Sequence, residues 1–474
     1  MVLISSSLIY THKCLSKKNI VEVKKFNNRI SSRIKRKTMK PNNLESLWMP
    51  FTPNKAFKKD PRIIVSAKGM HFTSDDGRLI LDGTAGLWAC NASHGRSKIT
   101  EAVARQLEEL DYSPPFQFGH PKQFELANRL SEIFPEGMNH VFFSNSGSEA
   151  VESALKIALA YQRSRGKGSK TRLIGSEKGY HGTNFAGISV GGMVKNRMYY
   201  GSLLSGVDHI RHTHLPELNS YSRGQPEHGA ELAEDLERLV QLHDASTIAA
   251  IILEPVKGSS GVYPPPKGYL ERIREICTKH DILLIFDEVI SGFGRLGKAT
   301  GSEYFGVTPD MITCAKGITN ATIPMGATVV QDFIYETMIE NADAPIELFH
   351  GYTYSGHPVA CAAALATLDI YKEESLFENA AKMAPVIEEA AHSLKGTKHI
   401  IDIRNIGVIA ALELETKEGA LGQRGFNTMK KCWDMGLMVR TNGDTLAFSP
   451  PLVLNESHVD QIFTTVKNAL EQVD

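Results

Sequence analysis

The run Ile282-Leu283-Leu284-Ile285-Phe286 restricts the fold more than any other stretch of this chain. Five apolar residues in succession are too few for an independent helix, and they do not alternate with polar ones as a half-exposed strand would. They read as a strand buried on both faces, the form found in parallel sheets covered by helices. Asp287 stands at its carboxyl end. The pattern recurs: Thr247 to Leu253 is an apolar run closed by Glu254, and Pro309 to Cys314 is a weaker strand with Lys316 just beyond it. Charged groups at the ends of parallel strands emerge at one edge of the sheet, and that carboxyl edge is where open α/β sheets bind ligands.

The pairing of Asp287 with Lys316 has a chemical meaning. Burial beside an apolar sheet lowers the pKa of a lysine ammonium and frees its amine to attack an aldehyde. An aspartate across the same cavity holds a pyridine nitrogen protonated. These are the two groups that a pyridoxal 5'-phosphate enzyme takes from its protein, one to carry the cofactor and one to keep it an electron sink. A helix-capping Asp and a surface Lys have the same spacing, so the rest of the chain decides between the two readings.

Strands alternate with helical patterns from about Trp88 to Gly326, which predicts an α/β architecture with a mostly parallel sheet and helices on both faces. Upstream, Val65 to Thr73 and Arg78 to Asp82 flank Asp75-Asp76-Gly77, a hairpin signal. Lys98 to Leu110 predicts a helix with Ile99, Ala102, Val103, Gln106, Leu107 and Leu110 on one face. His140 to Ser144 reads as a strand, and Ser146-Gly147-Ser148 then opens a helix through Lys156 and Tyr161. Its hydroxyls, backbone N–H groups and positive dipole end suit a phosphate, and they equally make a plain N-cap. Thr171 to Gly175 is a further strand. The loop Lys178-Gly179-Tyr180-His181-Gly182 carries an aromatic able to stack on a flat ligand. No GxGxxG or Walker A motif points to a nucleotide. Ser205 to His243 reads as polar loop, and His209, His212 and His214 within it lack a Cys or carboxylate at helical spacing, so no metal centre is expected.

The Ala-rich helix Val359 to Tyr371 leads into a C-terminal α+β part. Helices Phe377 to Leu394, Phe426 to Met435 and Glu456 to Val473 alternate there with strands Ile400 to Ile403, Val408 to Leu414 and Leu437 to Thr441. The expected divisions are a basic extension over 1–38, an N-terminal segment with the hairpin over 39–87 that joins the smaller domain, a ligand-binding large domain over 88–352, and the linking helix with the small domain over 353–474.

Charge is unevenly spread. Of the 53 basic and 53 acidic residues, residues 1–38 hold ten basic ones and a single acid, Glu22, so the remainder carries nine more acids than bases. An acidic body argues against nucleic acid as a partner. The extension has the composition of an organelle transit peptide, and with Met39 directly after it an upstream misassigned start is the other reading. No stretch reaches membrane-spanning length. The 6 cysteines are scattered without CxxC spacing, which fits a reducing compartment and argues against a zinc site.

From about Leu44 onward the chain resembles the class III aminotransferases of the pyridoxal-phosphate fold-type I superfamily, and among them the ω-amino acid (β-alanine):pyruvate aminotransferases. The resemblance runs through LWMPFTPN, LDGTAGLWACNASHG, NHVFFSNSGSEAVESALKIALAY, GYHG, LEPVKGSSGV, LLIFDEVISGFGRLG, PDMITCAKGITN, FHGYTYSGHP and GDTLAFSPP. It implies an aspartate aminotransferase-like large domain plus a smaller α+β domain, with Lys316 as the cofactor lysine and Asp287 as the partner of the pyridine nitrogen. Tyr180 and Val289 then lie on opposite ring faces, Gly147 and Ser148 hold the phosphate, and Glu254 organises the site behind the ring. Thr353 completes the phosphate site of the neighbouring subunit, which makes a homodimer the working unit, with a homotetramer as a larger assembly. Trp88 and Arg440 match substrate-contacting positions, and Arg440 offers a carboxylate a bidentate fork. Ala447 departs from relatives that carry Gln there, which removes a polar contact.

The implied activity is ping-pong transfer of an amino group from an ω-amino acid or amine to pyruvate, in the cytoplasm, or in mitochondria if residues 1–38 are a transit peptide. An aminomutase or decarboxylase on the same scaffold, 2-oxoglutarate as acceptor, and a non-catalytic scaffold are the alternatives.

Overall fold

The computed structural model describes residues 44–474, so the basic extension over 1–38 lies outside the described residues. The chain divides into a small unit, residues up to 66 with 73–78, and a large one, residues 67–72 with 79–474. In the small unit the helix Asn54–Lys59 buries Phe57, and the Asn54 carboxamide accepts from Met49 N at 2.9 Å. Gly77, at φ +88, closes the tight turn between Ser74 and Arg78.

The large unit is built on a seven-stranded sheet. Its strands are β1 (His140–Ser144), β2 (Arg172–Ser176), β3 (Val207–Ile210), β4 (Ile248–Leu253), β5 (Leu283–Asp287), β6 (Met311–Cys314) and β7 (Gly326–Val330), in the order β1-β7-β6-β5-β4-β2-β3. Neighbours from β3 across to β6 run parallel. Strand β7 is antiparallel to both β1 and β6.

Every residue of β4 and β5 is buried. Alternation along them divides the core in two. Ala250, Ile252, Leu283 and Ile285 pack with Val151, Ala154, Leu155 and Ala158 of helix α1 (Gly147–Ser164). Ile251, Leu253, Leu284 and Phe286 pack on the opposite face, with Ile273 and Ile276 of α2 (Tyr269–His280) and the alanines of α3 (Pro358–Glu373). A sheet covered on both faces exposes only its strand ends. Parallel register fixes which ends coincide: Asp287 lies opposite Thr313, two residues before Ala315-Lys316.

A second sheet of β8 (Ile400–Ile406), β9 (Ile409–Leu414), β10 (Arg440–Asn442) and β11 (Thr445–Phe448) is antiparallel, in the order β8-β9-β11-β10.

Several expectations need correction. The stretch Val65 to Thr73 is two strands, Ile64–Lys68 and His71–Ser74, broken where Gly69 takes φ +57. Leu437 to Thr441 splits likewise: Leu437–Met438 pairs with Leu79–Asp82, whereas Arg440–Asn442 joins β11, a strand that the sequence did not reveal. Ser205 to His243 holds β3 and the helix Glu234–His243 rather than loop alone. In the helix Ser97–Glu109, Leu107 is exposed while Ile99 and Gln106 are buried.

Candidate functional site

The ends of β4, β5 and β6 and the start of α1 enclose a cavity of about 330 Å³. Gly147, Ser148, Tyr180, Glu254, Asp287, Val289 and Lys316 all face it. Seven residues singled out from separate stretches of sequence thus share one space.

Asp287 is buried at the end of β5. Its Oδ1 accepts from Val289 N and from Thr313 Oγ1, both at 3.2 Å, and its Oδ2 pairs with His181 Nδ1 at 2.8 Å. A carboxylate held on both oxygens has one orientation. His181 is itself buried and its Nε2 has no partner.

Lys316 carries φ +44, a left-handed conformation that costs a non-glycine residue about 1–2 kcal/mol. The strain turns the chain sharply after β6, into the short 3₁₀ turn Lys316–Thr319. Burial pushes the Lys316 ammonium down to about 8 despite the opposing pull of Asp287, and Arg440 adds to the fall. A lysine so placed has a larger free-amine fraction near neutral pH than an exposed lysine.

Glu254 fixes the loop that bears Tyr180, because its Oε2 accepts from Tyr180 N at 2.8 Å while Oε1 accepts from Gly258 N at 3.3 Å. Burial pushes the Glu254 carboxyl up to about 7. At the start of α1 the Ser146 hydroxyl caps the helix by accepting from Glu149 N at 3.2 Å. The N–H groups of Gly147 and Ser148 are left over at the positive end of an 18-residue helix.

Trp88, Arg440 and Thr353 do not line this cavity. Trp88 takes φ +63, and its side chain packs in the cluster of Val262, Ile290 and Ala447, with no partner for its indole N–H. Arg440, half-buried on β10, lies near enough for its charge to act on Tyr180 and Lys316. Thr353 is exposed, and its carbonyl accepts from Tyr112 Oη at 3.1 Å.

The structure also adds residues. His181 and Thr313 hold Asp287, and the buried Glu288 accepts from Ser302 N at 2.8 Å and Ser291 Oγ at 3.1 Å. His181 stood beside Tyr180 in the sequence, but its partner lies 106 residues away and only the sheet brings them together. His214 meets Asp402 and Glu413, ligand-type atoms within 4.8 Å of one another. Arg404 Nη1 donates to both of those carboxylates, so a guanidinium already serves as their cation.

One consequence can be measured. A hydrogen bond to a buried charge contributes about 1.5–3 kcal/mol. His181→Ala is therefore expected to lower kcat roughly ten- to hundredfold, with His181→Asn between it and wild type. Equal kcat for all three proteins in steady-state assays refutes a role for His181 in holding Asp287.

A family model described as aminotransferase class-III matches residues 54–470. The chain is 57% identical to an omega-aminotransferase of Caulobacter vibrioides, over 91% of this chain and 99% of that protein. It is 49% identical to a beta-alanine–pyruvate aminotransferase of Pseudomonas aeruginosa, over 91% and 96%. Among solved structures, the omega transaminase of Pseudomonas jessenii in complex with PMP superposes with a TM-score of 0.85 at 34% identity, over 90% of this chain and 96% of that one. On sequence, fold and site together, the chain belongs to the class-III aminotransferase family, whose enzymes work with pyridoxal 5'-phosphate.

Proposed function

We propose that this enzyme moves the amino group of an ω-amino acid or simple amine to pyruvate, releasing alanine and an oxo acid or aldehyde. The observation that carries the proposal is the meeting of Asp287 and Lys316 in one cavity of about 330 Å³, at the ends of adjacent strands. The names of the relatives support pyruvate as acceptor.

The residues fit the cofactor. A Cβ on Gly147 comes within 2.9 Å of Val289 Cγ2, so only glycine leaves that wall of the cavity open. When bound, pyridoxal phosphate supplies an aldehyde that takes up an amine and a protonated ring that draws electrons from the neighbouring carbon. Gly147 and Ser148 receive the phosphate on their N–H groups. Tyr180 and Val289 enclose the ring, and Glu254 steadies the Tyr180 loop. Asp287 keeps a proton on the pyridine nitrogen. Lys316 would hold the cofactor at rest and, once displaced, its Nζ would take the proton from the substrate carbon and hand it back on the far side of the bridging nitrogen. Arg440 receives the substrate carboxylate, and Trp88 shapes the space beside it.

Thr353 completes the partner's phosphate site in a homodimer, which accounts for its exposure in a single chain. Within this scheme residues 88–352 bind the cofactor and 353–474 supply Arg440. Among the described residues no helix is long and apolar enough to cross a membrane, and a cytoplasmic location is proposed.

An amine panel with pyruvate and 2-oxoglutarate as rival acceptors tests this reading. Alanine is expected to accumulate from pyruvate with β-alanine or another ω-amine, in a protein that sediments as a dimer. Turnover of the amine without alanine points instead to an aminomutase or decarboxylase, or to 2-oxoglutarate as acceptor if glutamate appears.

A further inference from the structure

In the loop after β5 sits Arg295, whose side chain is fully buried. Its Nη1 donates to the carbonyls of Ser449 at 3.1 Å and Pro450 at 2.6 Å, its Nη2 donates to Asn91 Oδ1 at 2.5 Å, and its Nε has no partner. Among the described residues no carboxylate lies within ion-pair distance of it. Asp82, which faces it more distantly, is already engaged by Thr84, Gly86 and His94. A fully buried guanidinium bound only to neutral oxygens is a costly arrangement, and such costs are usually found near function.

The contacts lead from Arg295 to the lysine. Asn91 Nδ2 donates to Phe293 O at 2.8 Å, and together Asn91 and Phe293 press on Gly317, where an added Cβ would lie 2.8 Å from Asn91 Nδ2 and 2.9 Å from Phe293 Cβ. Tyr371 on α3 stacks near Phe293 and donates its hydroxyl to Gly317 O at 2.6 Å. The strained Lys316-Gly317 turn is thus gripped by Asn91 on one side and Tyr371 on the other.

We infer that Arg295 is a positioning residue for Lys316: through Asn91 it holds the turn that aims the amine, and it brings an unpaired positive charge to that turn. The inference rests on Lys316 being the cofactor lysine. The groups facing Lys316 are Asp287 and Glu254 from the strand ends, Arg440 from β10, and Arg295 from the loop after β5. Those facing Arg295 are Asp82, Cys90 and Tyr371. The two acids favour the lysine proton and the two arginines oppose it.

The test uses the holoenzyme without substrate, reading the pH midpoint of its visible absorbance, followed by the acid limb of the kcat profile. Arg295→Met is expected to move both upward by a fraction of a pH unit, Arg295 being the weakest-acting of the four charged groups around Lys316. Arg295→Lys keeps the charge and the midpoint but lowers kcat. Asn91→Asp gives Arg295 a countercharge in place, moves the midpoint upward too, and covers the case in which Arg295→Met does not fold. Tyr371→Phe removes only the grip on Gly317, and lowers kcat with the midpoint unchanged. A midpoint that stays at the wild-type pH in every folded variant that removes or pairs the charge overturns the electrostatic role. Unchanged kcat in both Tyr371→Phe and Arg295→Lys overturns the positioning role. A wild-type protein that takes up no cofactor refutes the Lys316 assignment instead, which keeps the two failures distinct.

Discussion

Lys316→Ala is expected to abolish turnover, with kcat falling about 10⁴-fold, the upper range for losing a positioned acid–base group. The effect exceeds that of any other single change because, in the proposed mechanism, one nitrogen serves twice, holding the cofactor at rest and moving the proton during reaction. Folding is not the cause. Alanine at φ +44 meets the same backbone strain as lysine, and the removed chain borders a cavity rather than packed core. Near-wild-type thermal unfolding together with loss of the borohydride-sensitive absorbance band is the expected pair of results. Lys316→Gly separates the conformational cost from the chemistry: it is equally inactive, yet its cofactor-free form is more stable than that of Lys316→Ala by about 1 kcal/mol, since glycine accepts the left-handed turn freely. Turnover by Lys316→Ala within a hundredfold of wild type rules out Lys316 as the proton carrier.

Asp287→Asn is the second large effect. The change keeps size and shape, and its carboxamide oxygen still accepts from Thr313 Oγ1 and Val289 N in place of Oδ1. What disappears is the negative charge proposed to keep a proton on the pyridine nitrogen. A drop in kcat of about 10³-fold is expected, the size of losing a preorganised electrostatic contact to developing charge. Cofactor uptake is expected to persist, because the proposed phosphate site at the start of α1 is left unchanged. Stopped-flow measurement of the amine half-reaction separates the two: a slow chemical step with the cofactor bound supports the assignment, and a rate within tenfold of wild type removes it.

Part of this was legible in the sequence and part was not, for physical reasons. The interior strands β4 and β5 are buried on both faces, so their composition alone betrays them. Strand β3 lies at the sheet edge with three of its four residues only half-buried, and its Val-Asp-His-Ile text looks like loop. The direction of β7 was equally hidden, since an apolar run has no polarity of its own. Leu437 to Thr441 looked like one strand because an extended chain can pass from one sheet to another without a local break.

At the cavity, residues at strand ends could be placed from sequence, because parallel register dictates where such ends fall. Trp88 could not, since φ +63 turns its indole into the cluster around Ala447. His181 and Arg295 were missed for a different reason. Each is hydrogen-bonded to a partner more than 100 residues away, Asp287 in one case and Asn91 in the other.

The antiparallel strand β7 has a consequence for how the protein is made. Strand β1, which leads into the proposed phosphate site at the start of α1, pairs among the described residues only with β7, and Thr328 Oγ1 of β7 donates to Ala150 O of α1 across 178 residues of chain. A nascent chain that has emerged as far as Thr319 already contains Asp287, Lys316 and all of α1, yet strand β1 still lacks the neighbour it docks on. Closing so long a loop is slow, as non-local pairing generally is. Competence to take up cofactor therefore arises late in folding, and its uptake reports on a completed sheet.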